Sequence, residues 1–121
     1  MACILIIDDN VQVLETYCRI LEHAGYEVVV AVDGKKGIRV FHGIIPDVVI
    51  TDIIMPEKDG LETIKELKRD FPDAKIIAIS GGDKVGPGNY LKMAKNQGAL
   101  CTLTKPIERE ELLAAVQKCL S

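Results

Sequence analysis

Short apolar runs alternate along the chain with segments in which apolar residues recur every three or four positions. An uninterrupted apolar run is typical of a strand in a parallel sheet, because helices cover both faces of such a sheet. Five of these runs predict strands over residues 3–7, 27–31, 47–51, 75–79 and 100–103.

The segments between the runs have the apolar spacing of amphipathic helices. They predict helices over residues 11–21, 37–41, 61–71, 90–97 and 112–120. Repeated strand–helix units with short connections form a parallel sheet with right-handed crossovers and helices on both faces. Five strands in so short a chain favour the flavodoxin-like doubly wound α/β fold, with strand order 2-1-3-4-5, over the larger dinucleotide-binding type.

Composition and charge narrow the class of protein. The chain has 121 residues, of which 48% are hydrophobic and only 4% aromatic, which predicts a single domain over residues 1–121 with an aliphatic core. A formal net charge of −3 gives no general attraction to nucleic acid or to an anionic membrane. The apolar runs are too short to span a bilayer and no signal peptide is recognisable, so we expect a cytoplasmic protein.

The four cysteines, Cys3, Cys18, Cys101 and Cys119, are scattered without any CxxC spacing. A metal cluster or a redox pair usually shows close spacing, so we expect these residues to be small buried hydrophobes. The scatter also argues against a secreted disulfide scaffold.

Polar residues follow four of the predicted strands: Asp8 and Asp9, Asp52, Ser80, and Lys105. The carboxyl ends of parallel strands meet at one edge of the sheet, so we expect these side chains to converge. Three carboxylates in one pocket repel each other and require a cation or raised pKa values. Oxygen ligands without nearby His or Cys favour Mg²⁺ (or Mn²⁺). A carboxylate beside a metal, a lysine and a hydroxyl is suited to phosphoryl transfer.

Each of these features is ordinary when it is taken alone. The Asp8-Asp9 pair could cap the following helix, and Asp52 could be a turn residue before Pro56. Their joint occurrence at the ends of several strands is the observation that favours a functional site, because the structural context decides whether a short motif is meaningful.

The complete pattern resembles the receiver domain of response regulators in bacterial two-component signalling systems, and in particular the stand-alone, chemotaxis-receiver-like members. The resemblance covers residues 4–120 and rests on Asp8-Asp9, Asp52, Met55-Pro56, Asp59-Gly60, Ser80 and Lys105-Pro106. It implies that Asp52 accepts a phosphoryl group from a sensor histidine kinase, a phosphotransfer protein or a small phosphodonor.

The resemblance also implies a metal site. Asp9 would bind Mg²⁺ directly and Asp8 chiefly through water, while Asp52 and the backbone carbonyl of Ile54 would complete the protein ligands. No second substrate is implied: such a protein is not an enzyme beyond catalysing its own phosphorylation and dephosphorylation.

Other roles implied by the resemblance concern switching. Ser80 would donate a hydrogen bond to a phosphoryl oxygen and Lys105 would pair with another, and the Lys105–Pro106 peptide bond is expected to be cis. The family usually has an aromatic switch residue three positions before this lysine, where the chain has Thr102. Tyr90 is the nearby aromatic that could replace it, or it packs in the core.

Phosphorylation is expected to switch a protein-binding surface between two states. The chain ends directly after the fifth helix, so we expect output through a downstream protein target, and a phosphorylation-dependent dimer is compatible with the pattern.

Three other readings compete with this one. Asp8 and Asp9 argue against a flavin mononucleotide site, and Ile54 argues against an aspartyl-phosphate hydrolase, which places an acid–base Asp two residues after its nucleophile. The alternative that stays open is a receiver-fold interaction module that phosphorylation does not regulate.

Overall fold

The computed structural model describes residues 1–53, 60–81 and 87–121, and for residues 87–91 it describes the backbone only. Strands and helices alternate along this part of the chain. They are β1 (Cys3–Ile7), α1 (Val11–His23), β2 (Glu27–Ala31), α2 (Gly34–Ile44), β3 (Val48–Asp52), α3 (Gly60–Asp70), β4 (Ile76–Ser80), α4 (Pro87–Gln97), β5 (Cys101–Thr104) and α5 (Arg109–Leu120).

The strands form one parallel sheet in the order β2-β1-β3-β4-β5. This confirms the predicted flavodoxin-like α/β topology. Alternate residues of the strands contribute to two aliphatic layers, because successive side chains of a strand point to opposite faces of the sheet. Leu5 and Ile7 of β1 pack in the layer under α2, α3 and α4, whereas Ile4 and Ile6 pack under α1 and α5.

Two predicted strands have the observed bounds, and the other three lie one residue later than predicted. The polar residues Asp52 and Ser80 still belong to the ladder, since Asp52 pairs with Ile79 and Ser80 pairs with Thr104. The three later strands end at Asp52, Ser80 and Thr104, and an apolar pattern does not include such a polar last residue.

Helix α2 is longer than the predicted segment 37–41. The Asp33 side chain caps its N-terminus by accepting a hydrogen bond from the backbone N–H of Lys36 at 2.8 Å. The helix ends before Ile45, which is left-handed with φ 52°. Lysine and glycine in the first turn hid this part of the helix from the apolar spacing.

Two expectations about burial were wrong. Strand β2 is not buried on both faces, because it lies at an edge of the sheet, and Val30 is 44% exposed. Among the cysteines only Cys119 is buried, whereas Cys3, Cys18 and Cys101 are partly exposed.

None of the described helices combines the length and the apolar character needed to cross a bilayer.

Candidate functional site

The carboxyl ends of the central strands bring the predicted polar residues together. Asp52 and Ser80 are the last residues of β3 and β4, and Asp8 and Lys105 directly follow β1 and β5. The backbone N–H of Lys105 donates to the Ser80 carbonyl oxygen at 2.8 Å, and the backbone N–H of Asp8 donates to the Ala31 carbonyl oxygen at 3.1 Å. The ladder thus extends one residue beyond the strands and fixes where these side chains start.

Three carboxylates form a cluster at this edge. Asp8, Asp9 and Asp52 each offer one oxygen, and the three oxygens lie within 4.8 Å of one another. Asp8 is 1% exposed and Asp52 is 7% exposed, while Asp9 is exposed to solvent. An all-oxygen donor set that is open on one side fits Mg²⁺ or Mn²⁺, which usually keep several water ligands.

The Asp8-Asp9 pair does not cap α1, so the capping alternative is wrong. Asn10 is the N-cap residue, and its side-chain oxygen accepts hydrogen bonds from the backbone N–H groups of Gln12 and Val13 at 3.0 and 3.2 Å. The Asp8 carboxylate instead accepts a bond from the Asn10 backbone N–H at 2.9 Å. This bond uses one oxygen of Asp8 and leaves the other directed at the cluster.

Lys105 supplies positive charge to the cluster. Its Nζ lies 3.2 Å from Oδ2 of Asp8 and 3.5 Å from Oδ2 of Asp52. Partial burial alone would lower the pKa of Lys105, but attraction to Asp52 and Asp8 outweighs it, so the net shift of the pKa is upward. The lysine is therefore a stable cation between the two buried carboxylates.

The electrostatics of Asp52 are unfavourable for its charge. Burial raises the pKa of Asp52 from 3.8 to about 6, and repulsion from Asp8 adds to the shift, while the charge and hydrogen bond of Lys105 oppose it. The carboxylate is ionised at neutral pH, yet it is held where a further cation would stabilise it. Such a perturbed group in a cluster of charges is typical of a functional site.

Other predicted site residues are placed as follows. Ser80 is buried with 2% exposure, Thr102 is partly exposed in β5, and the Lys105–Pro106 peptide bond is cis. Ile54 lies outside the described residues. Tyr90 belongs to α4, and its side chain is likewise outside the described part of the chain.

Tyr17 of α1 is a neighbour of the site that the sequence pattern did not reveal. It is 6% exposed and lines a cavity together with Asn10, Gly81, Lys105 and Pro106. Burial raises the pKa of the Tyr17 phenol, and the charge of Lys105 partly opposes the shift. Helical spacing placed Tyr17 on the inward face of α1, but it could not show that this face passes Lys105.

Comparison with known sequences agrees with this geometry. The sequence model of the response regulator receiver domain matches residues 4–117. Protein PilH of Pseudomonas aeruginosa is 33% identical over 121 residues, which is 100% of this chain and 99% of PilH. The response regulator MprA of Mycolicibacterium vanbaalenii is 34% identical over 117 residues, which is 97% of this chain but 49% of MprA. The chain thus spans about half the length of the MprA relatives.

Solved structures lead to the same family. A response regulator receiver domain protein from Clostridium thermocellum superimposes with a TM-score of 0.93 at 32% identity, covering 99% of this chain and 94% of the other. The chemotaxis protein CheY4 of Vibrio cholerae superimposes with a TM-score of 0.89 at 29% identity, covering 99% of both chains. With this fold, this acidic cluster and these relatives, the chain belongs to the response regulator receiver domain family of two-component signalling.

Proposed function

We propose that Asp52 accepts a phosphoryl group in a Mg²⁺- or Mn²⁺-dependent reaction and that the modified protein switches a protein-binding surface. Receiver domains of this family interact with histidine kinases or phosphotransfer proteins and with downstream targets. The donor proposed for this chain is a sensor histidine kinase, a phosphotransfer protein or a small phosphodonor. The observation that carries the proposal is the buried carboxylate of Asp52 beside Asp8, Asp9 and Lys105.

The proposed reaction is a displacement at phosphorus. An oxygen of the ionised Asp52 carboxylate attacks the phosphorus, and the bond from phosphorus to the donor nitrogen or oxygen breaks. The bonding electrons leave with the donor, which takes up a proton from solvent when it is a histidine. The pKa of Asp52, about 6, keeps the attacking oxygen deprotonated at neutral pH.

The chain's own charges hold the reacting group. Lys105 Nζ, now 3.5 Å from Asp52, would pair with one phosphoryl oxygen, and the buried Ser80 hydroxyl would donate to another. A bound Mg²⁺ would supply the charge that offsets the oxygens of the transferring group. Asp9 would bind it directly, Asp8 chiefly through water, and Asp52 would complete the side-chain ligands. The proposed Ile54 carbonyl ligand rests on the family resemblance.

The proposed switch involves β4, β5 and α4, which contain Ser80, Thr102 and Tyr90. Movement of Ser80 toward a phosphoryl oxygen would shift the chain that follows β4, and Thr102 and Tyr90 are the proposed residues that respond. We propose that residues 1–121 act as one receiver unit in the cytoplasm. Its outputs would be binding of a downstream protein or formation of a phosphorylation-dependent dimer, without direct binding of nucleic acid or membrane.

Receiver domains of this family are not enzymes in the usual sense. For this chain we propose that the reactions at Asp52 are limited to its own phosphorylation and to hydrolysis of the resulting acyl phosphate.

The direct test is incubation of the chain with Mg²⁺ and acetyl phosphate, followed by intact mass measurement. The wild-type protein should gain the mass of one phosphoryl group, and the gain should vanish in Asp52→Ala and on chelation of the metal. Asp73→Ala is the matched control, because it removes an exposed carboxylate that lies shortly before the amino end of β4. This variant should be modified like the wild type. No mass gain in the wild type would favour the interaction module that phosphorylation does not regulate.

A further inference from the structure

Two thiols lie close together at the amino end of β5, at the end of the sheet opposite to the one that carries Asp52. Cys101 is the first residue of β5, and Cys119 is near the end of α5. The sulfur atoms are 4.0 Å apart, with the Cys119 thiol directed at the Cys101 sulfur. The two residues are 18 positions apart in the sequence, so no motif spacing joins them.

The two thiols differ in access to solvent. Cys101 is partly exposed and lines a groove with Thr102, Leu103 and Lys118, whereas Cys119 is 2% exposed and belongs to the core between the sheet and α5. A small solute can therefore reach Cys101 directly. Cys119 is shielded from such a solute by its burial.

The chemistry of the buried thiol points the same way. Burial, followed by the neighbouring Cys101, raises the pKa of Cys119 to about 12, and Lys75 and Lys118 oppose this shift only in part. Because the thiolate is the nucleophile in thiol–disulfide exchange, Cys119 is a poor initiator of the reaction. It is placed to act second, on a sulfur that is already in contact with it.

We propose that Cys101 and Cys119 are a modification site at which a low-molecular-weight disulfide, of the glutathione type, oxidises the pair to an intramolecular disulfide. This inference is independent of the proposed function at Asp52. It replaces the expectation that the cysteines are unconnected hydrophobes.

The proposed reaction has two exchange steps. The Cys101 thiolate attacks one sulfur of the small disulfide, which forms a mixed disulfide on Cys101 and releases one thiolate. The Cys119 sulfur then attacks the Cys101 sulfur and expels the second small thiolate, which takes the proton of Cys119. The first small thiolate takes up from solvent the proton that Cys101 lost. Two protein thiols and one small disulfide thus give one protein disulfide and two small thiols.

Formation of the disulfide requires the two sulfurs to approach from 4.0 Å to about 2.0 Å. Strand β5 and helix α5 are held together by the core layer that also contains Leu112 and Val116. A bond here would tie the end of α5 to the start of β5.

The test uses the full chain in which Cys3→Ser and Cys18→Ser leave Cys101 and Cys119 as the remaining pair of the four cysteines. After incubation with oxidised glutathione in native buffer, this protein should lose the mass of two hydrogen atoms. Both thiols, counted by maleimide labelling after denaturation, should disappear. Peptide mapping should join Cys101 to Cys119, and dithiothreitol should restore the original mass.

Two further variants in the same background test the order of the steps. Cys119→Ala should stop at a glutathione adduct on Cys101, and Cys101→Ser should remain unmodified because Cys119 is buried. A stable glutathione adduct with both cysteines present would overturn the proposal. So would a disulfide between two chains, or one that forms only after addition of urea.

Discussion

At the scale of single residues, the ionised carboxylate of Asp52 should lower the free energy of unfolding by an amount that can be measured. Its pKa is raised to about 6 in the folded protein, from 3.8, mainly by burial and then by Asp8. A carboxyl group with a raised folded-state pKa binds its proton more tightly when folded, so its contribution to stability is present below pH 4 and is lost as pH rises through about 6.

Asp52→Asn removes this charge while it keeps the shape of the side chain. Without metal, we expect the variant to be more stable than the wild type at pH 7.5, by roughly 3 kcal/mol from a shift of this size. The advantage should shrink between pH 6 and pH 4, because the wild-type carboxyl group then becomes protonated in the fold. Urea unfolding in EDTA at several pH values measures it, and a difference that does not change with pH would contradict the assignment.

Lys105 is the positive charge that partly offsets the effect of burial on Asp52. Its charge and its hydrogen bond both lower the pKa of Asp52, so Lys105→Met should raise that pKa above its wild-type value. Carbon-13 NMR of the Asp52 carboxyl group, titrated without metal, reports the change directly. Lys65→Met removes an exposed lysine of α3 and should leave the titration unaltered. An unchanged Asp52 titration in Lys105→Met would show that the two side chains do not interact in solution.

The sequence could predict which strand ends meet but not how strongly the residues at those ends interact. Asp8, Asp52, Ser80 and Lys105 follow from strand ends in a parallel sheet, because topology alone brings those ends together. The raised pKa of Asp52 depends on burial and on distances of a few ångströms, and neither is visible in a linear pattern. The contact between the sulfurs of two distant cysteines was hidden for the same reason.

At the scale of elements, the start of α3 is fitted against the end of β3. The Gly60 backbone N–H donates to the Ile53 carbonyl oxygen. A Cβ atom added at Gly60 would overlap the Asp52 carbonyl oxygen and lie 2.5 Å from the Ile53 Cα. These are backbone atoms, so they cannot move aside as the end of a side chain could. This close approach of the two backbones explains why the first residue of α3 is a glycine.

Gly60→Ala should therefore destabilise the protein by about 1–3 kcal/mol, the usual cost of forcing extra volume into a packed site. It should also slow modification of Asp52 by acetyl phosphate, because relief of the overlap displaces the end of β3. Gly43→Ala in α2 is the control, since an added Cβ there meets nothing within 4 Å. That variant should be more stable by about 0.5–1 kcal/mol, as expected for Gly replaced by Ala within a helix.

Thermal or urea unfolding of both variants checks the pair. Equal stability of the two variants would show that α3 can move away from β3 without cost. A helix boundary predicted from apolar spacing alone does not contain this information, since the spacing began at Leu61 and the contact is made by the backbone of the preceding glycine.

At the scale of the whole molecule, the topology was predictable because the strand pattern and the helix pattern of the sequence are consistent with the same fold. Apolar runs demand a sheet covered on both faces, and the intervening helical spacing provides the covering layers. Strand β2 departs from the pattern because its exposure is decided by its position at the edge, which depends on the strand order rather than on its own sequence.

Metal binding should couple the site to the stability of the whole fold. A ligand that binds only the folded state stabilises that state by about 2.7 kcal/mol when its free concentration is about one hundred times its dissociation constant. We expect Mg²⁺ to raise the unfolding temperature at pH 7.5, and we expect the effect to fade below pH 6, because protons compete with the metal for Asp52. Asp9→Asn should lose most of the effect, whereas Asp73→Asn should keep it. A Mg²⁺-dependent rise of equal size in Asp9→Asn would mean that the ion stabilises the protein from some place other than the three-carboxylate cluster.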